Sequence, residues 1–317
     1  MHLFRGLTAT IPKPLLGGIV TWGVFDGVHR GHAKVIDALA SWAAERSVPS
    51  LVITFDRHPA EVLRGVSVPL VCPLIERVHR IAARRVNAIF ILPFTLEFSR
   101  TTAEEFVRDI IHGKLGATAV LLGHDSHFGR DRQGDLGVLE RVAGGLGLQV
   151  RSCEPELRNG RPLSSSMIRE AVQAGDFAAA EEILGRPFAL YGMVVPGEGR
   201  GAAIGIPTAN LDLEHELRPP NGVYAAEVWI DGRMHPGGLN LGLRPTFHPE
   251  GGRGTAEVHL LDYDGPSLVG TRLEVNLRAR VRDERKFSGA DELVRQIRSD
   301  LDWIRAQSAT WSSTPRS

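Results

Sequence analysis

The chain reads as an α/β protein built in two parts, a doubly wound parallel sheet followed by a small antiparallel β-barrel. Three observations predict this. Short β-rich runs alternate with helical patterns from residue 19 to residue 152. After Gly185-Arg-Pro187 the texture changes to closely spaced strands separated by Gly/Pro-rich turns. One amphipathic helix then follows near the end. The 317 residues suffice for two domains of ordinary size.

In order, strands are expected at 19–24, 50–55, 88–92, 119–123 and 149–152, with helices at 34–45, 74–85, 103–115 and 136–146. Ser164 reads as the cap of another helix, and a further helix covers 177–184 until Gly185 and Pro187 stop it. The second part has strands at 190–195, 223–230, 233–241, 255–261 and 271–281, then a helix at 290–305. The domains are placed at 1–186 and 187–308, and the Ser/Thr/Pro-rich residues 309–317 are expected to be a disordered tail.

Lys+Arg and Asp+Glu both number 37, so no broad basic field exists to hold nucleic acid or an anionic membrane. Any phosphate must be held by local groups. Two cysteines, Cys72 and Cys153, do not make a disulfide framework and are read as reduced and structural. No apolar run approaches the ~20 residues of a membrane span. Residues 14–25 lack the charged start and small-residue cleavage site of a signal peptide, so a cytoplasmic location is expected. The expected state is a monomer or weak homo-oligomer working on small molecules.

The stretch Gly23-Val-Phe25-Asp26-Gly-Val-His29-Arg-Gly31-His32 follows the first strand and opens a helix. A strand, a glycine turn and a helix N-terminus present free amides and the positive end of the helix dipole to a phosphate. His29 and His32 lie three residues apart, on one side of a first turn, where both can donate to one polyphosphate. Gly31 carries no β-carbon to hold a nucleotide off the backbone. The plain alternative is a structural turn with two surface histidines.

Three more segments join it. Thr54-Phe55-Asp-Arg-His-Pro59 reads as a post-strand loop with a proline stop. Gly123-His-Asp125-Ser126-His-Phe128-Gly129, continuing to Asp135, is a glycine-punctuated loop or a flexible surface connection. Ser164-Ser165-Ser166-Met167-Ile-Arg169 opens a helix, where hydroxyls, amides and a guanidinium suit a phosphate. Ligands of such sheets bind at the carboxyl ends of the strands, so the post-strand segments should converge on one rim.

The His-x-Gly-His stretch resembles the signature of the nucleotidylyltransferases. All four segments, in this order, resemble the adenylyltransferase module of bacterial FAD synthetase. The resemblance implies that His29, His32 and Arg169 stabilise charge on the ATP phosphates. It gives Gly23, Phe25, Asp26, Gly31, Ser165 and Ser166 to the nucleotide, and Phe55 and Asp125 to the flavin. Ser126 stands where that family usually has Phe, and Met167 where Arg is frequent. Leu163 and Ser166 are milder departures.

In the second part, Gly197-Glu-Gly199-Arg-Gly201-Ala202-Ala-Ile-Gly205-Ile-Pro207-Thr208-Ala-Asn210 runs from a glycine-rich loop into a rigid Pro-Thr. Glycine amides wrap phosphates, and a Thr hydroxyl with an Asn carbonyl offers hard oxygens to Mg²⁺. A glycine hairpin with a proline turn is the plain alternative. The string resembles riboflavin kinase, as do Pro220-x-Gly222-Val-Tyr224, Asn240-x-Gly242 through Phe247, Glu257-x-His259-x-x-Asp262 and Arg282-x-Glu284-x-Lys286-Phe287. The resemblance implies nucleotide contacts at Gly199, Gly201, Thr208 and Asn210, with Thr208 and Asn210 also holding Mg²⁺. It makes Glu257 the base for the ribityl hydroxyl and Arg282 a flavin contact. A bifunctional riboflavin kinase/FAD synthetase is therefore expected, with riboflavin, FMN and ATP as its small-molecule partners. The rivals are a kinase whose adenylyltransferase is impaired at Ser126 and Met167, and a non-catalytic flavin-binding regulator.

Overall fold

The computed structural model describes residues 1–7, 10–214, 217–242 and 255–311. Contacts divide the chain into two units, residues 1–68 with 74–165 and residues 69–73 with 166–317.

The first unit holds a six-stranded parallel sheet in the order β1-β4-β3-β2-β5-β6. Its strands are β1 (His2–Arg5), β2 (Ile19–Trp22), β3 (Ser50–Phe55), β4 (Ala88–Leu92), β5 (Ala119–Gly123) and β6 (Gln149–Cys153). β2, β3 and β4 are buried along their whole length, as a sheet covered on both faces requires. Alternate residues feed two cores. Val20, Leu51, Ile53 and Phe90 join one, while Ile19, Val52, Ile89 and Leu121 join the other. Helices α1 (Arg30–Glu45) and α3 (Leu74–Ala82) supply Ile36, Leu39 and Ile81 to the second core. The segment from α4 (Ala103–Glu105) onward and α5 (Leu136–Leu146) supply Phe106, Ile111 and Leu139 to the first. The doubly wound expectation therefore holds.

Several details differ from the sequence reading. The expected helix at 103–115 is α-helical only to Glu105 and continues as a π-helix over Phe106–Lys114. Pro59 does not stop a segment but starts α2 (Pro59–Arg64), with the His58 ring accepting from the Ala60 amide at 3.2 Å. A two-residue hairpin pairs β7 (Leu157–Arg158) with β8 (Arg161–Pro162).

The second unit is a closed antiparallel barrel in the order β10-β13-β12-β11-β14-β9. Its strands are β9 (Phe188–Val195), β10 (Ala209–Leu213), β11 (Gly222–Ile230), β12 (Arg233–Gly242), β13 (Thr255–Leu260) and β14 (Arg272–Asp283). β10 was not expected. Helix α6 (Ser165–Ala174), from Ser166 onward, and α7 (Phe177–Leu184) belong to this unit, and α7 packs on β9 and β14. The short α8 (Arg200–Ala203) lies in the glycine-rich loop. The last helix, α9 (Ala290–Ser308), covers β12. It approaches closely because Gly238 has no β-carbon; one placed there would sit 3.3 Å from Ile304. Of the expected tail, Trp311 packs beside Ala225, Leu261 and Ile304; residues 312–317 lie outside the described residues.

Candidate functional site

In the first unit the strand order reverses direction between β2 and β5, and an open parallel sheet binds ligands at such a switch point. The histidine turn follows β2 there, and the 123–135 loop follows β5. The turn is tightly wound. Phe25 (φ 52°), Gly27 (φ 75°) and Val28 (φ 41°) all have positive φ, which is strained for the β-branched valine. Phe25 and Asp26 are buried. Gly23 sits against the Phe25 ring, 3.2 Å from where its β-carbon would be.

His29 caps α1: its Nδ1 accepts from the His32 amide at 3.3 Å. The two imidazoles stack with centroids 3.6 Å apart, and Phe25 meets His32 edge-on. A β-carbon on Gly31 would lie 3.1 Å from the His29 ring, so this glycine makes room for an imidazole. Burial, then the neighbouring His29 and Arg77, hold the His32 imidazole well below its ordinary pKa. The ring is thus neutral near pH 7.

Ser165 donates its hydroxyl to the Asp26 carbonyl at 3.0 Å, which brings the 164–169 segment's start to the histidine turn. Ser166 and Arg169 belong to the second unit, where Arg169 Nε donates to the Pro69 carbonyl at 2.7 Å. Phe55 is buried at the end of β3 and contacts Phe94 and Phe98 edge-on or tilted. Asp125 is exposed, with its carbonyl accepting from His127. The loop around it is anchored: Phe128 is buried against Trp22 and exchanges both backbone bonds with Gly134 at 2.9 Å.

Arg77 escaped the sequence reading. It lies fully buried on α3 and donates through Nη1 to the carbonyls of Val24 and Phe55, both at 2.9 Å. It thereby ties together the carboxyl ends of β2 and β3. An arginine inside the apolar stripe Leu74, Val78, Ile81 was the signal that could have found it.

In the second unit, strand register aligns three polar residues in one row: Asn210 on β10 faces Glu257 on β13, which faces Asn240 on β12. Asn240 too was missed as a site residue. Glu257 Oε2 accepts from the Thr208 hydroxyl at 3.4 Å. The glycines are explained by what they face. A β-carbon on Gly197 would overlap the Asn210 amide at 2.0 Å, and one on Gly201 would strike the Ile206 carbonyl at 2.4 Å. Gly199 is left-handed (φ 72°) where it caps α8.

Two cavities meet here. One of about 740 Å³ is bounded by Gly197, Gly199, Thr208, Asn210 and Glu257. The other, about 440 Å³ and largely apolar, is bounded by Thr208, Glu257, Arg282, Phe287 and Ile304. Thr208 and Glu257 line both. Arg282 is held at its wall by Asp300 (Nε to Oδ2, 2.8 Å) and lies over the Phe287 ring. Of the expected Asn240–Phe247 stretch, residues 243–247 lie outside the described residues.

The comparisons agree with the two units. Residues 12–167 match the family described as FAD synthetase, and residues 184–308 match riboflavin kinase. A Pseudomonas fluorescens protein named bifunctional riboflavin kinase/FMN adenylyltransferase is 36% identical over 309 residues, covering 98% of each chain. A Bacillus subtilis protein of the same name is 33% identical over 289 residues, 89% of this chain and 90% of that one. A solved Streptococcus pneumoniae structure superposes with a TM-score of 0.86 at 28% identity, covering 98% of this chain and 100% of that one. That protein is described as a macrolide-efflux protein. Among the described residues of this chain, no helix is long and apolar enough to cross a membrane. With both domain types present in order and relatives matched from end to end, the chain belongs to the bifunctional riboflavin kinase/FMN adenylyltransferase family.

Proposed function

We propose that the family's two activities are carried by separate modules of this chain, 1–186 for adenylylation of FMN and 187–308 for phosphorylation of riboflavin. The observation that carries the kinase assignment is the shared wall of the two cavities, where Thr208 and Glu257 face a polar chamber on one side and an apolar one on the other. ATP in the first and the flavin ring in the second would bring the ribityl hydroxyl to Glu257. That carboxylate takes the hydroxyl proton as the oxygen bonds to the γ-phosphorus and ADP departs. Arg282, fixed by Asp300, borders the flavin.

A Mg²⁺ ion fits two of the donors present, a hydroxyl (Thr208) and an amide oxygen (Asn210), both hard oxygens. Among the described residues no group of three or more His, Cys, Asp or Glu could hold a metal, so the nucleotide itself would supply the remaining ligands. When bound, the ion neutralises phosphate charge.

In the first module an FMN phosphate oxygen attacks the α-phosphorus of a second ATP and pyrophosphate leaves. The nucleophile is already ionised, so positioning and charge stabilisation are the protein's task. His29, His32, the amides of their turn and Ser165 would meet the phosphates. Phe55 and Asp125 are assigned to the flavin. We take the enzyme to act in the cytoplasm as a monomer or weak homo-oligomer, without nucleic acid or membrane.

One incubation of riboflavin with Mg-ATP, with products resolved, should yield FMN and then FAD. Glu257→Ala should lower FMN formation by about 10²–10⁴-fold and leave FMN-to-FAD conversion intact. His29→Ala with His32→Ala should do the reverse. Loss of both activities from either change, in a folded protein, refutes the division. A native chain that makes no FAD from supplied FMN would leave the kinase-only reading.

A further inference from the structure

β13 presents its residues alternately. Ala256, Val258 and Leu260 are buried in the barrel, while Glu257 and His259 stand on the opposite face, about 6.6 Å apart along the strand. Glu257 meets the Thr208 hydroxyl, and His259 meets the preceding residue: its Nδ1 lies 2.7 Å from the Pro207 carbonyl. Two neighbouring positions of one strand thus grip two consecutive residues of the Pro-Thr corner. A carbonyl oxygen can only accept, so the imidazole Nδ1 is the protonated nitrogen here. The peptide between Pro207 and Thr208 is planar. Fixing its oxygen therefore also fixes the Thr208 nitrogen and Cα, from which the hydroxyl projects. Proline holds φ on the other side of that carbonyl. The corner follows a loop with left-handed Gly199 and Gly205, closed by the Ile206 amide on the Gly201 carbonyl at 2.8 Å.

We propose that His259 is a positioning residue of the kinase site, holding the Pro207–Thr208 peptide so that the Thr208 hydroxyl meets Glu257 and the metal-nucleotide. This rests on the roles given above to Thr208 and Glu257. Residues that orient a metal ligand typically change metal affinity or activity 10–100-fold when removed. In the full-length enzyme, His259→Ala should raise the Mg²⁺ concentration that half-saturates FMN formation by about tenfold or more. FMN-to-FAD conversion in the same preparation should not change. His259→Asn, whose side-chain N–H can replace Nδ1–H, should recover most of the loss. Independently of turnover, ¹⁵N NMR of ring-labelled histidine, with the His259 signal assigned by its absence from the Asn variant, should show a proton held on Nδ1. An unchanged Mg²⁺ dependence in the Ala variant, an Asn variant no better than Ala, or an Nε2–H tautomer would each overturn the proposal. Thr208→Val separates it from the reading beneath. If that change also leaves Mg²⁺ dependence unaltered, the role of Thr208 fails and the proposal with it; if it shifts the dependence and His259→Ala does not, the proposal alone fails.

Discussion

Gly197→Ala isolates the geometry of the kinase site. A β-carbon at this position would lie 2.0 Å from Asn210 Nδ2 and 2.8 Å from its Cγ. Unbonded heavy atoms prefer roughly 3.5 Å, so the amide must retreat by about 1.5 Å. Gly197 is not among the positive-φ residues, so alanine adds no backbone strain. The obstructing group is the end of a short side chain, and turning it off its rotamer costs only about 0.5–1.5 kcal/mol. Global stability should therefore fall little. Catalysis should not be so tolerant, because a displacement of about 1 Å in a positioned group can cost about 10²-fold. The assay is kcat for FMN formation, with FMN adenylylation by the same protein as its internal control. In an Asn210→Ala background the obstruction is gone, so the glycine substitution should add no further loss, a coupling that a double-mutant cycle measures. A Gly197→Ala enzyme that forms FMN at the parent's rate, or fully additive losses in the cycle, would refute the idea that the glycine exists to seat Asn210.

Three further outcomes are expected. The buried His32 has its pKa depressed below 6.5, so the unfolded chain binds the extra proton first and stability falls as pH drops below that value. The slope approaches about 1.4 kcal/mol per pH unit for this group, and urea melts at pH 7.5 and 5.5 should show it shrink in His32→Asn. Arg278 holds the buried Glu227 and also Glu181 at 3.1 Å, so Arg278→Met should cost about 3–5 kcal/mol, read as a lowered urea midpoint of the barrel unit. At Gly129 (φ 72°) a β-carbon would fall 2.5 Å from the Ala103 nitrogen, so Gly129→Ala should destabilise the first unit by about 1–3 kcal/mol and slow FAD formation while leaving FMN formation intact.

Both architectures were legible because their patterns are local. The fully apolar runs of β3 and β4 can only be strands covered on both faces, and the turn-rich second half leaves no room for crossover helices. What escaped was set by partners distant in sequence. Residues 209–213 are short and half polar; they become β10 by pairing with β9 and β13 to close the barrel. The π-helical register at 106–114 leaves no local mark. Pro59 was read as an end when the same fixed φ suits a beginning. For the candidate site, residue types and spacing singled out the histidine turn and the Pro-Thr corner. Arg77 and Asn240 required knowing which strand ends and which registers come together.

The common boundary at Thr208 and Glu257 carries a thermodynamic consequence. A side chain that seals one chamber also forms the floor of the next, so a ligand that shifts it in one chamber reshapes the wall of the other. By reciprocity, whatever factor a bound nucleotide applies to flavin affinity, bound flavin must return to the nucleotide. On the proposed placement of nucleotide and flavin, a substitution at either position would alter the hold on both substrates.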